Sequence, residues 1–334
     1  MQHLTSPAGR RPTWVMDLAL VGVAASWGVN HVVVKHTLAN MMPLAFNALR
    51  FGLASATLLG ILWLVEGDVG LKRRDFWPVL GVGVLGHTVY QTLFITGLSF
   101  TTAGKTSVIL ATSPVFVACL ERLLGIGTYR WRAWAGVLAS LAGVILITGG
   151  GRGGLTLSGG QLRGDLLVLA AAACWGGYTV AARPLLDRYS PLRVTALTMS
   201  AGTIPMILLS APVLMAQDWG RVTATSWAAL VYSYSVPIVV GYLIWSWGIQ
   251  RIGSGRTAIY SNLSPLVASL LGWALLGDRW SAPQVAGGLL IPLGIAQVRA
   301  DGRVDRRIDA RGQGGVGRWT RVDDRGPETG RRVL

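Results

Sequence analysis

Apolar residues fill this chain in runs of about twenty, parted by short polar connections. The runs fall at 14–35, 43–65, 76–98, 103–124, 131–149, 165–182, 194–216, 227–249, 256–276 and 282–299. About 20 consecutive apolar residues carry a helix across the hydrocarbon of a bilayer. Backbone groups in lipid must also be hydrogen-bonded within the protein, which makes such runs helices. The pattern therefore predicts an all-α integral membrane protein with ten transmembrane helices. The alternating period of a membrane barrel strand is absent. Trp14, Trp63, Trp77, Trp131, Trp134, Trp219, Trp227 and Trp280 fall at or beside the predicted helix ends, where an indole favours the headgroup interface.

The pattern repeats. Asp17 to Trp27-Gly28 aligns with Asp165 to Trp175-Gly176, and the same offset pairs Lys35 with Arg183 and Pro43 with Pro191. Further along, Gly97 pairs with Gly248, Lys105 with Arg256, Ser113-Pro114 with Ser264-Pro265, and Ala135-Gly136 with Ala286-Gly287. Each half holds five predicted helices. An odd number obliges the second copy to enter the membrane in the opposite sense, giving a 5+5 inverted-topology repeat, the plan of many secondary transporters. The expected organisation is a short cytoplasmic segment 1–13, one five-helix repeat over 14–150, another over 164–299, and a disordered basic cytoplasmic tail over 300–334.

Charge adds orientation. Only 13% of residues are charged, against about 25% in soluble domains, so a separate soluble domain is not expected. If the N-terminus is cytoplasmic, the inside loops carry Lys72, Arg73, Arg74, Arg122, Arg130, Arg132, Arg183, Arg188, Arg193, Arg251 and Arg256. The outside loops carry the shorter set Lys35, Lys105, Arg152, Arg163, Arg221 and Arg279. The positive-inside rule thus places both termini in the cytoplasm. Ten of the 30 basic residues lie from Arg299 onward, so the net charge of +15 describes loops and a tail that rest near anionic lipid, with no nucleic-acid partner expected. The first apolar run, after Arg10-Arg11, is longer than a signal-peptide core and reads as a membrane helix. Cys119 and Cys174 are isolated inside apolar runs, with no metal-ligand spacing, and no metal or cofactor is expected.

The ordered set of Trp27-Gly28 in the first helix, Arg50-Phe51 in the second, Trp175-Gly176 in the sixth, a proline in the fourth helix of each half, and Leu276-Gly277-Asp278 resembles the EamA-type branch of the drug/metabolite transporter superfamily. The resemblance covers about 14–299. It departs where Gly127 stands in place of Asp278, and Thr198 in place of Arg50, in the other half. The resemblance implies export of amino acids or related metabolites.

Polar residues inside a membrane are costly and mark function. In the third helix His87, Tyr90, Gln91 and Phe94 share one face by their spacing, and Tyr242 and Trp245 stand opposite Gln91 and Phe94 in the repeat alignment. The first helix offers Trp27, Asn30 and His31. The sixth offers Trp175, Tyr178 and Thr179. With Arg50 and Asn262, the set Trp27, Asn30, His87, Tyr90, Gln91, Trp175, Tyr178, Tyr242 and Trp245 is the candidate lining of a substrate cavity. Aromatic packing is the competing reading of the rings, and Arg50 either snorkels to the interface or meets an anionic group. Pro114 and Pro265 are candidate kink or gating positions. No carboxylate lies mid-helix: Asp17, Glu121, Asp165 and Asp278 are all near ends. The expectation is a secondary transporter exporting small polar metabolites, neutral or anionic, across the cytoplasmic membrane by alternating access. An importer in the same fold is the alternative. A membrane-embedded transferase is disfavoured because His3, His31, His36 and His87 are scattered and there is no HExxH or Walker loop. Gly136 and Ser140 permit close helix contact, within the bundle or in a homodimer.

Overall fold

The computed structural model describes residues 13–126, 131–149, 162–276 and 281–316. The chain forms α1 (Thr13–Thr37), α2 (Pro43–Glu66), α3 (Arg73–Phe100), α4 (Ala103–Leu123), α5 (Trp131–Gly149), α6 (Leu162–Leu186), α7 (Pro191–Ala216), α8 (Ala224–Ile252), a broken segment α9 over 254–276, and α10 (Ala282–Val316). No strand occurs among the described residues. Seven of these helices (α1–α4 and α6–α8) are long and apolar enough to cross a membrane, and α5 contains a shorter apolar stretch. Leu64, Val65, Leu208, Leu209 and Met215 stand largely exposed, an apolar surface suited to lipid chains. Trp14, Trp63, Trp77 and Trp131 are also exposed near helix ends. Asp278 and Trp280 lie outside the described residues.

Sequence reading ends the last helix at 299 and expects a disordered tail from 300. The structure carries α10 on to Val316. No proline occurs between Pro292 and that point, so nothing removes a backbone donor, and the helix continues despite several glycines. Residues 317–334 lie outside the described residues.

Helix contacts follow a two-fold rule. α2 lies along α7 and α5 along α10, each pairing a helix with its own repeat mate. The contact of α1 with α9 has its counterpart in α6 with α4, and that of α3 with α6 in α8 with α1. The same reciprocity holds for single residues, as in a symmetric dimer interface. A Cβ on Gly28 would stand 2.6 Å from the Ser264 carbonyl oxygen, and one on Gly176 would stand 3.4 Å from that of Ser113. Along α5 and α10, Gly136 faces Gly294 while Gly143 faces Gly287. Absent side chains let these backbones touch, the usual means of tight packing where lipid supplies no hydrophobic drive.

Both repeats break at the predicted prolines. α4 divides into Ala103–Leu110 and Ser113–Leu123, and α9 passes through a 3₁₀ turn, Ile259–Asn262, just ahead of Pro265. Pro114 cannot bond the Leu110 carbonyl, and the Ser113 hydroxyl donates to it instead at 2.6 Å. A second paired irregularity has no proline in the first half. Wide π-helical turns occur at Val84–Val89 and Tyr234–Val240, matching positions of the two repeats. Such turns recur at functional sites because they re-aim side chains.

Candidate functional site

Where the halves meet, Trp27 of α1 and its repeat mate Trp175 of α6 touch edge to face, with ring centroids 5.5 Å apart. Trp245 packs against both, at 5.0 and 5.3 Å, and Tyr242 lies 5.3 Å from Trp175. Tyr178 stacks on Trp175 at 5.2 Å. The result is an aromatic layer across the middle of the bundle. Trp27 Nε1 donates to the Pro237 carbonyl at 3.0 Å, an oxygen exposed by the π-helical turn of α8. Trp27→Phe keeps a six-membered aromatic ring but removes that bond together with the pyrrole half of the indole. It should cost about 1–3 kcal/mol and lower the melting temperature of the solubilised protein by several degrees, read by size-exclusion fluorescence after heating.

On one side of the layer lies a cavity of about 60 Å³, room for a few waters or a small polar group with its first carbons. Among the predicted residues Trp27, Asn30, Arg50, Tyr90, Gln91, Trp175 and Tyr242 line it. His31 and Phe94 line it as well, together with Ser107, Leu110, Pro237, Ile238, Ser261 and Ser264. Other predicted residues stand away from its wall. His87 is fully buried behind Tyr242, its ring 5.3 Å from that of Tyr242, 5.2 Å from Tyr178 and 6.0 Å from Phe51. It sits within the π-helical turn Val84–Val89, so the regular spacing that puts it on one face with Gln91 does not hold there. Trp245 and Tyr178 belong to the aromatic layer, and Trp245 Nε1 approaches Thr179 Oγ1 at 3.4 Å. Asn262 donates to Ser140 Oγ at 3.0 Å, tying α9 to α5. Pro114 and Pro265 shape the helices without lining the cavity.

Arg50 organises the polar wall. It is 2% exposed, so it does not snorkel. Its Nε donates to Asn47 Oδ1 at 2.8 Å, Nη1 to Ser233 Oγ at 3.2 Å and Nη2 to Gln91 Oε1 at 3.0 Å. Ser233 in turn donates to Asn30 Oδ1 at 2.7 Å, and Gln91 Nε2 to the Tyr242 hydroxyl at 2.8 Å. Phe46 and Phe51 lie under the guanidinium at 5.3 and 5.4 Å. Its partners are thus neutral oxygens and rings. Sequence reasoning finds Arg50 but misses Asn47 and Ser233. Asn47 was visible as a second polar residue one turn from Arg50 in an apolar helix, whereas Ser233 arrives from a distant helix and leaves no local signal.

On the other side of the aromatic layer, helix ends meet in ion pairs. Glu66 accepts from Arg193 at 3.0 Å and from Ser190. Asp75 pairs with Arg188 and accepts from the Tyr189 hydroxyl at 2.7 Å. Glu121 accepts from Ser254 and stands 3.9 Å from Arg183. Asp17 pairs with Arg299 and accepts from Tyr260 at 2.8 Å. Beyond the cavity, at the opposite end, Lys105 meets Asp165 at 3.1 Å and Thr101 donates to the same carboxylate at 2.7 Å. There Lys35 donates to the carbonyls of Leu98 at 2.8 Å and Thr101 at 2.8 Å, closing the end of α3.

A bundle of apolar helices enclosing a small polar cavity is the architecture of a membrane transporter. The chain belongs to the EamA-like transporter family, whose model matches twice, over 14–149 and 162–299. It is therefore a multi-pass membrane protein and a transporter, not an enzyme. It is 28% identical over 283 residues to an uncharacterised transporter, YyaM, of Bacillus subtilis (strain 168), covering 83% of this chain and 91% of that protein. It is 30% identical over 271 residues to a probable terminal-alkyne amino-acid exporter of Streptantibioticus cattleyicolor, covering 76% of this chain and 87% of that one. A crystal structure at 21% identity superposes with a TM-score of 0.69 over 85% of this chain and 97% of that one, which shows a shared fold.

Proposed function

We propose that the protein exports small polar metabolites, amino acids and related neutral or anionic solutes among them, across the cytoplasmic membrane by alternating access. The observation that carries this reading is the cavity built where the two repeats meet, with Arg50, Gln91, Asn30 and Tyr242 lining it inside a bundle of mainly apolar helices. Ten membrane helices in a 5+5 inverted repeat over 14–150 and 164–299 account for the reciprocal contacts of Gly28 with Ser264 and Gly176 with Ser113. Rocking one repeat against the other would expose this cavity to each side in turn. The excess of basic residues in the loops on the side of the termini supports a cytoplasmic position for both termini, and with them for the ion-paired end. The named activity of the Streptantibioticus relative supports efflux of an amino-acid-like solute.

The test is mass spectrometry of spent medium from deletion and overexpression strains. A metabolite that falls in one and rises in the other identifies an exported substrate. Gln91→Ala or Tyr242→Ala should cut that difference at least about tenfold, the effect of losing one or two buried hydrogen bonds to charged or polar groups. Accumulation in the cells on overexpression would favour import instead.

A further inference from the structure

We propose that the transported solute is a small monoanion, a carboxylate on an apolar body, and that Arg50 holds its anionic group. The proposal rests on the transport reading above and names its substrate class. A guanidinium presents five N–H donors, and three of those of Arg50 are taken by Asn47, Ser233 and Gln91. Two remain. Among the described residues no carboxylate lies within ion-pair distance of it, and pairs such as Glu66–Arg193, Asp75–Arg188 and Lys105–Asp165 lie toward the helix ends. A buried charge is costly unless an opposite charge meets it. Arginine is also the side chain best matched to a carboxylate, by its planar fork. The cavity lining holds no Asp or Glu, so it offers an α-ammonium no anionic partner. Trp27, Phe94, Leu110, Trp175 and Ile238 give the wall a part that suits hydrocarbon, and the polar groups beside them (His31, Ser107, Ser261, Ser264) are uncharged hydroxyls and an imidazole rather than carboxylates.

The experiment is calorimetric titration of the purified protein with matched probes: 4-methylpentanoate, its amide, and leucine, with 3-phenylpropionate and phenylalanine as a second pair. Each free acid should bind at least about tenfold tighter than the amide and no more weakly than the amino acid. Arg50→Gln should abolish the preference for acid over amide while the protein remains monodisperse. Tighter binding of the amino acids than of the acids would overturn the single-charge proposal. Equal binding of acid and amide, or binding of none of the acids, would overturn the role of Arg50. In each case the spent-medium comparison decides the export reading separately.

A second inference comes from the ion pairs alone. Asp17, Glu66, Asp75 and Glu121 all belong to the first repeat, and their partners Arg299, Arg193, Arg188 and Arg183 all belong to the second. At the opposite end the signs are exchanged, with Lys105 from the first repeat and Asp165 from the second. We infer that the four pairs are a latch between repeats, closed in this state and opened when the cavity turns to that end. The probe is Leu110→Cys in the cavity, with Cys119 and Cys174 replaced by serine, labelled by a membrane-impermeant maleimide from each face of sealed vesicles. Glu66→Gln with Asp75→Asn should raise labelling from the ion-paired face at least about fivefold. Because Arg193 also meets Asp68 at 3.4 Å, the charge exchange Glu66→Arg with Arg193→Glu is made with Asp68→Asn and should keep labelling near the level of Asp68→Asn, whereas Glu66→Arg added alone to Asp68→Asn should raise it. Unchanged labelling in folded neutralised variants, or equal labelling in the single and exchanged variants, would overturn the latch.

Discussion

Arg50→Met should cut transport sharply while changing the stability of the protein only slightly. Charged hydrogen bonds contribute about 1.5–3 kcal/mol each, so losing the guanidinium's contacts to solute should reduce transport about 10- to 100-fold or more. Stability answers to different terms. Taking an unpaired charge out of the interior relieves desolvation, and a methionine fills much of the same space between Phe46 and Phe51. Against this, Asn47, Gln91 and Ser233 lose a donor. These contributions oppose one another, and the melting temperature should move by only a few degrees. Flux into proteoliposomes, read beside thermal unfolding of the same preparation, checks both halves of the expectation. A large fall in stability with proportionate loss of flux would make Arg50 a structural residue.

Gly287→Val, by contrast, should prevent the bundle from assembling. A Cβ at Gly287 would stand 2.5 Å from the Gly143 carbonyl oxygen and 2.9 Å from the Ile147 amide nitrogen. Both are backbone atoms of the facing helix, so neither can swing aside. Overpacking typically costs about 1–3 kcal/mol, and here two whole helices would have to part. Monodisperse protein recovered from membranes should fall to about a tenth of the parent or less, with Gly143→Val equivalent, since the contact is reciprocal. Gly22 is the control. A Cβ there meets nothing within 4 Å, and Gly22→Ala in the interior of α1 should stabilise by about 0.5–1 kcal/mol through lower chain entropy. Equal yields of the Gly287 and Gly22 variants would sink the close-contact argument.

By itself the sequence determined the membrane class, the approximate positions of the long apolar helices and the internal duplication. Those follow from local composition: a run of twenty apolar residues has one solution in lipid, and Trp-Gly, Ser-Pro and Ala-Gly recur at near-constant spacing whatever the fold does. Seven of the fifteen residues that line the cavity belong to the candidate set read from the sequence, since polar groups in apolar helices stand out. Tertiary structure decided which of them meet. The π-helical turn at Val84–Val89 carries His87 away from Gln91, and no proline in the first repeat announces it. Arg50 could as well have reached the interface by its position in α2; only the convergence of Ser233 from α8 and Gln91 from α3 holds it inside. The segregation of acids to one repeat and arginines to the other was present in the sequence, yet its meaning depends on which helix ends become neighbours. Contacts between residues more than a hundred positions apart are set by packing, and local sequence carries no record of them.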